Sequence, residues 1–117
     1  MGDLSKHFSR AEVACKCGCK LDSMDYETVN VLEATREHFG VPIAITSGCR
    51  CPDYNAKVGG AKNSFHTKCR AVDITVAGVS PDAVQAYLKF TYPGKYGIGC
   101  YPTFTHLDTG PARRWNG

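Results

Sequence analysis

The chain has 117 residues, of which 43% are hydrophobic and 21% are charged, a composition typical of one globular domain and not of a disordered or fibrous protein. Fourteen Lys and Arg against eleven Asp and Glu give a net charge of +3, which is too small to indicate nucleic-acid binding. No segment has the length and hydrophobicity of a signal peptide or a membrane span. We therefore predict one domain over residues 1–117, a monomer made in the cytoplasm, with no nucleic-acid or membrane partner.

Two helices are predicted in the first third of the chain. Ser9 and Glu12 have the spacing of a capping box, so a short helix should begin after Ser9 and end at the "CKCGCK" turn. A longer helix should run from about Tyr26 to Phe39, with Gly40 at the C-terminal stop position. This second helix is long enough to form the main scaffold of a small domain.

The rest of the chain mixes strands and helices without a regular alternation. A β-branched run predicts a strand over Val41 to Ser47, and "CPDYNAKVGG" predicts a short helix after it. Ser80, as the N-cap before Pro81, predicts a third substantial helix. Two further strands, about Tyr96 to Tyr101 and Phe104 to Asp108, should form a hairpin. The predicted fold class is α+β, with a small, mostly antiparallel sheet and flanking helices.

A carboxylate interrupts the most apolar predicted strand, "RAVDITV". Side chains alternate along a strand, so Val72, Ile74 and Val76 should share the core face. Asp73 should lie on the opposite face, which we expect to be open and polar. Asp73 is then either a solvated surface residue or a ligand that faces a groove.

Histidines near this strand suggest a metal site. In the last predicted strand His106 and Asp108 share one face, and His66 lies seven residues before Asp73. A catalytic zinc ion takes three protein ligands from His, Asp or Glu and keeps one position for water, so His66, Asp73 and His106 would supply a suitable set. From spacing alone, ordinary surface residues remain the alternative.

Cysteines are unusually frequent. In a chain without an export signal we expect them to be thiols or metal ligands and not a disulfide framework. The "CKCGC" cluster has two C-x-C spacings in place of the C-x-x-C of a zinc knuckle, which favours loop cysteines without chemistry over a metal site. The seven are Cys15, Cys17, Cys19, Cys49, Cys51, Cys69 and Cys100.

Three segments together resemble a known family. "ITSGCRCPDYNAKVGGAKNS", "SFHTKCRAVDI" and "YPTFTHLDTGPARRW" are similar to the zinc D-alanyl-D-alanine carboxypeptidases, which share their fold with lysostaphin-type peptidases and the hedgehog signalling domain. The resemblance implies one catalytic Zn²⁺ held by His66, Asp73 and His106. It also implies that Arg50 binds the carboxylate end of the substrate, which a two-pronged guanidinium suits.

The chain departs from the family pattern at the general base. Relatives often have an acidic residue or a second histidine shortly before the distal His, where this chain has Thr103 and Phe104. Asp108 is therefore our candidate catalytic residue, as the base or as the group that orients the metal-bound water. His7 is a remote alternative that we expect at the surface.

Other departures involve cysteines and the C-terminus. Cys69 stands where the family usually has glycine, Cys49 where an aromatic residue is common, and Cys100 where a basic residue is frequent. Ser64 is expected to bind the substrate backbone or, equally, to be a turn residue. Trp115 is expected to pack on the core, with an arginine beside the groove.

The resemblance implies hydrolysis of peptidoglycan stem peptides, and we expect a D-Ala-D-Ala carboxypeptidase. The alternatives are an endopeptidase that cuts within the stem or cross-link, a non-catalytic zinc-binding module, and a structural-zinc module built on the cysteine cluster. A small catalytic domain of this kind resembles phage or prophage lysis proteins. We expect it to reach the cell wall after holin-type release or as part of a virion.

Overall fold

A computed structural model describes residues 4–19, 21–60 and 64–117. Five strands form one sheet: β1 (Ile43–Ser47), β2 (Ala71–Val76), β3 (Gly97–Cys100), β4 (Thr105–Asp108) and β5 (Arg113–Asn116). The helices are α1 (Arg10–Val13), α2 (Tyr26–Phe39), α3 (Pro52–Lys57) and α4 (Pro81–Thr91), with a 3₁₀ turn at Phe65–Lys68. This architecture confirms the predicted α+β class.

The helix boundaries follow their capping residues. At α1 the backbone N–H of Ser9 donates to the Glu12 carboxylate at 2.6 Å, as in the predicted capping box. Helix α2 spans the predicted residues; its Asp25 cap accepts a hydrogen bond from the N–H of Glu27 at 3.2 Å. Gly40 ends the helix at φ 67°, a left-handed conformation that favours glycine.

The sheet has the strand order β1-β2-β4-β3-β5. Neighbouring strands are antiparallel except β3 and β5, which are parallel. The predicted hairpin pairing of β3 with β4 is confirmed, while β1 begins two residues later than predicted. Strand β5 was not predicted, because "RRWN" is mostly exposed and shows no alternation of apolar and polar residues.

One face of β2 packs into the core, and the other is buried around the floor of a cleft. Val72, Ile74 and Val76 belong to the hydrophobic core, as predicted from strand alternation. The prediction of an open opposite face was wrong: Ala71 is fully buried and Asp73 is only 8% exposed. The 3₁₀ turn before β2 packs against the strand, so Asp73 lies on the floor of a cleft and not on a free surface.

One pair of cysteines is joined, which corrects the expectation that the cysteines would all be thiols or ligands. Cys49 follows β1 and Cys69 precedes β2, and a disulfide links them with a Cα–Cα distance of 4.5 Å. The two strands are antiparallel neighbours, so the end of one lies beside the start of the other. Cys69 has φ 54°, which explains why the resembling family uses glycine at this position.

None of the helices in the described ranges is both long enough and apolar enough to cross a membrane. Residues 61–63, which belong to one of the motifs that carry the resemblance, lie outside the described residues. The six residues predicted to form the site are all described.

Candidate metal centre

Three predicted ligands meet at one point above β2 and β4. Asp73 and His106 are direct cross-strand partners in the antiparallel register. The Asp73 Oδ1 atom lies 3.0 Å from Nδ1 of His106 and 3.3 Å from Nε2 of His66. The ligand atoms of the three side chains all lie within 4.8 Å of one another. The pairing of two strands that are distant in sequence thus creates the predicted ligand set.

His66 is oriented by the backbone of the loop after β1. It is 3% exposed, and its Nδ1 atom lies 2.7 Å from the carbonyl oxygen of Gly48. A carbonyl only accepts hydrogen bonds, so we assign the imidazole proton to Nδ1. The Nε2 lone pair then faces Asp73 and is available to a metal ion.

His106 is oriented in the opposite sense by a carboxylate. Its Nε2 atom lies 2.8 Å from Oδ2 of Asp108, so Nε2–H donates to that oxygen. This leaves Nδ1, on the side of Asp73, as the ligand atom. Histidine ligands of zinc commonly donate their other N–H to a carboxylate, which fixes the tautomer and the ring orientation.

Asp108 is fully buried and has several partners. Besides His106, its carboxylate accepts a hydrogen bond from the N–H of Gly110 at 3.0 Å and one from Arg113 Nη2 at 2.7 Å. These contacts favour a positioning role behind His106 over that of a general base. The assignment of Asp108 as the base stays a prediction.

The charges at the centre stabilise one another. Burial would raise the pKa of Asp73, but His106 and His66, when protonated, donate hydrogen bonds to it and hold that pKa well below its usual range. Burial would lower the pKa of His106, but Asp108 and Asp73 outweigh it and raise that pKa. In the absence of metal, these neighbours therefore make a proton on His106 more favourable than on an ordinary histidine, at the place where a cation would bind.

The centre forms the floor of a cleft of about 550 Å³. Aromatic rings form one wall: Tyr101 stacks on Phe104 with ring centroids 4.4 Å apart, and the Trp115 indole N–H donates to the Tyr101 hydroxyl at 3.1 Å. All six predicted site residues line this cleft: Arg50, Ser64, His66, Asp73, His106 and Asp108.

The two residues predicted to bind substrate have partners within the protein. Arg50 donates from Nε to Ser47 and from Nη1 to Asn55 at 3.1 and 3.2 Å, and its Nη2 lies 3.5 Å from Asp73 Oδ2. The Ser64 hydroxyl accepts from the N–H of His66 at 3.1 Å and so caps the 3₁₀ turn. Both remain predicted substrate contacts.

Trp115, Arg113 and His7 were also given predicted positions. The expectation that Trp115 packs on the core was wrong, because its ring lines the cleft with its centroid 5.1 Å from that of His106. Arg113 flanks the cleft, as an arginine was expected to do. His7 pairs with Glu33 at 2.6 Å and does not line the cleft.

Alternating glycines in β3 make room for the site, and the sequence analysis missed them. A Cβ atom at Gly97 would lie 2.3–2.6 Å from the atoms of the Asp108 carboxylate. A Cβ atom at Gly99 would lie 2.6–2.9 Å from the Trp115 indole. Glycine inside a strand often marks such a close approach, so "GIG" before the His106 strand was the available signal.

One known protein family matches most of the chain. The sequence model of the peptidase M15 family matches residues 6–108, which contain all three predicted ligands. The chain belongs to the peptidase M15 family. This membership confirms the resemblance to zinc D-Ala-D-Ala carboxypeptidases that the motifs suggested.

Two curated relatives of the chain are peptidoglycan endopeptidases by name. The chain is 46% identical over 61 residues to the probable peptidoglycan L,D-endopeptidase MepK of Haemophilus influenzae, covering 50% of this chain and 32% of that protein. It is 37% identical over 81 residues to the peptidoglycan L,D-endopeptidase MepK of Escherichia coli K12, covering 63% and 43% respectively. The chain thus spans less than half the length of these relatives.

The cleft centre offers the ligand atoms that zinc prefers. M15 peptidases are zinc-dependent. Two imidazole nitrogens and one carboxylate oxygen form the donor set found in catalytic zinc sites. In both histidines the nitrogen that faces the centre is the one without a proton when the imidazole is neutral. His66, Asp73 and His106 are therefore suited to hold the ion.

Proposed function

We propose that this chain is a zinc-dependent peptidase that hydrolyses an internal bond of peptidoglycan stem peptides. One observation carries the proposal: Nε2 of His66, Oδ1 of Asp73 and Nδ1 of His106 converge on the floor of a cleft in a chain of the M15 family. Three ligands leave a coordination position for water or substrate, as catalytic zinc sites do.

An endopeptidase is favoured over a carboxypeptidase by two observations. Both named relatives are L,D-endopeptidases, so we propose an L,D bond as the target. The expectation of a carboxypeptidase relied on Arg50 to hold a terminal carboxylate, but each of its terminal nitrogens and its Nε already faces an acceptor within the protein. Arg113 also has a partner, Asp108, but its side chain is 48% exposed against 15% for Arg50, so it is more accessible to an acidic group of the substrate.

Each group of residues in the cleft would have a separate role. Zinc held by His66, Asp73 and His106 would act as a Lewis acid that polarises the scissile carbonyl and lowers the pKa of water. Asp108 would keep His106 in its ligating orientation. The aromatic wall around Tyr101 would hold the peptide against the centre, and Arg50 would support the cleft through Asp73 and the loop after β1.

A non-catalytic zinc-binding module is the second candidate. Among the residues that the structure describes, the two carboxylates that line the cleft are Asp73 and Asp108, and both are engaged by histidines. A base that is free to accept a proton from water is thus not evident in the described cleft. If the chain does cleave peptides, the proton of the attacking water would have to be accepted at the zinc centre itself or by a group of the substrate.

Digestion of purified peptidoglycan tests the proposal. The wild-type protein, His106→Ala and the surface control His38→Ala would be incubated with stem peptides and cross-linked muropeptides, and the products identified by mass. We expect internal fragments from the wild type and the control, and none from His106→Ala, which should also bind one zinc fewer. Release of terminal D-Ala alone would identify a carboxypeptidase. Binding without cleavage would leave the non-catalytic module.

The setting of the reaction is also a proposal. The substrate lies in the cell wall, and we propose that the protein acts there as a monomer after holin-type release or as part of a virion. Sedimentation of the purified protein tests the monomer. Fractionation of producing cells, with and without a holin, tests the release route.

A further inference from the structure

Four cysteine thiols converge outside the cleft. Sγ of Cys15 lies 3.4 Å from Sγ of Cys17 and 3.8 Å from Sγ of Cys51, and the latter two are 3.5 Å apart. The sulfur of Cys19 completes the group, since all four lie within 4.8 Å of one another. The three measured separations are too long for disulfide bonds, in which the sulfurs are about 2.05 Å apart.

The separations match those of a metal-bound cluster. Zinc bound by four thiolates is tetrahedral with Zn–S distances of about 2.3 Å, so neighbouring sulfurs are about 3.8 Å apart. The three measured values lie at or slightly below this separation. Four uncoordinated thiols have no comparable reason to gather around one point.

The backbone of two segments is shaped to bring the thiols together. Gly18 has φ 88°, a left-handed conformation that reverses the chain between Cys17 and Cys19. The second segment approaches closely because Gly48 has no side chain: a Cβ there would lie 2.5–2.9 Å from backbone atoms of Val13. A hydrogen bond from the N–H of Cys49 to the Val13 carbonyl, at 2.8 Å, holds the two segments together.

Backbone N–H groups also point at the sulfurs. The N–H of Cys51 donates to Sγ of Cys15, and the N–H of Tyr54 donates to Sγ of Cys51, both at 3.4 Å. Donors of this kind stabilise thiolate, which is the form of cysteine that binds metal. The cluster therefore has the supporting contacts of a ligand set in addition to the sulfur geometry.

We propose that Cys15, Cys17, Cys19 and Cys51 form a second, structural zinc site. Four protein ligands fill a tetrahedral ion, so this site has no open position for chemistry. It joins the segment after α1 to the loop between β1 and α3. That loop carries Arg50 and the Gly48 carbonyl that orients His66, so the second zinc would brace one side of the cleft.

Metal counting tests this proposal without any activity measurement. Zinc per chain would be determined by mass spectrometry for protein produced with zinc and purified without chelator. We expect two ions in the wild type, one in Cys17→Ser/Cys19→Ser, and one in His106→Ala. Cys100→Ser, which alters a free cysteine in β3, should keep both. The combined variant with His106→Ala and both serines should bind none.

A second measurement uses only the wild-type chain, in case the serine variants fail to fold. Protein loaded with ¹¹³Cd should show two resonances, one of them strongly downfield as four sulfur ligands require. A wild type that binds one zinc, lost in His106→Ala, would overturn the proposal. So would iron in place of zinc, or an intact mass that reveals a disulfide within the cluster. The proposed peptidase would be unaffected by such a failure, because the cleft centre uses none of these cysteines.

Discussion

The cleft centre and the cysteine cluster gather ligands in different ways. The cleft centre has three proposed ligands, and each of its two histidines is held by a second partner, Gly48 or Asp108. The cysteine cluster has four proposed ligands, of which Cys17 and Cys19 are exposed, and its supporting contacts come from backbone N–H groups. Three ligands inside a cleft suit chemistry, whereas four near the surface suit a structural link.

Loss of a cleft ligand should have the largest effect. His66→Ala or His106→Ala removes one of the three proposed ligands, and the buried Asp73 loses one of its two histidine partners. We expect kcat/KM to fall by about a thousandfold or more, which is about 4 kcal/mol of transition-state stabilisation. Steady-state kinetics on a muropeptide measures this. The cysteine variants should lose far less activity; an equal loss would mean that both clusters take part in catalysis.

Asp108→Asn should have a smaller effect that appears first in metal binding. The substitution removes the charge that orients His106, and loss of such a partner typically costs about 10–100-fold in metal affinity or activity. Competition with a chromogenic chelator gives the zinc affinity. If Asp108 were instead the general base, kcat would fall while zinc affinity stayed unchanged, and the lower limb of the pH profile would disappear.

Acidification should weaken zinc binding at the cleft centre. Burial would lower the pKa of His106, but Asp108 and Asp73 raise it, so the metal-free protein keeps this proton to a higher pH than an ordinary histidine does. Zinc must displace the proton, so its apparent affinity should be constant above the raised pKa and fall as the pH drops through it. Zinc titrations of the Cys17→Ser/Cys19→Ser variant report on the cleft centre alone, because this variant should lack the second site. An affinity independent of pH down to about 5 would contradict the assignment.

Gly97→Ala should lower the free energy of unfolding more than it affects catalysis. Its new methyl group would overlap the Asp108 carboxylate, and overpacking of this kind costs about 1–3 kcal/mol. Urea denaturation measures the loss, and zinc affinity should fall with it. Ile98→Val, at the intervening position on the core face, should cost about 0.5–1.5 kcal/mol and leave zinc affinity unchanged. Equal zinc binding in both variants would show that the glycine does not protect the site.

Local signals in the sequence predicted local structure well. Asp25 and Gly40 cap α2 at the predicted ends, because capping depends on a few neighbouring residues. Strand alternation placed Asp73 and His106 on faces that could meet, and the β2–β4 register brings them together. His66, seven residues before Asp73, completed the predicted ligand set, and the resemblance to the zinc D-Ala-D-Ala carboxypeptidases implied the same three residues.

Features that depend on contacts between distant segments could not be predicted. The disulfide joins residues 20 positions apart, and Cys51 meets Cys15 across 36 positions. No local pattern encodes either pairing. Strand β5 was missed because it is short, mostly exposed and stabilised by its parallel neighbour β3. Trp115 was assigned to the core for the same reason: only the sheet order shows that its ring faces the cleft.

We propose that zinc at His66, Asp73 and His106 makes this chain a peptidoglycan peptidase. The most direct test is to strip the protein of metal, titrate it with zinc, and follow occupancy of the cleft centre and cleavage of a muropeptide in the same samples. We predict that the rate of internal cleavage rises in proportion to that occupancy and is absent in His106→Ala. Full occupancy without any cleavage product would contradict the proposed peptidase activity.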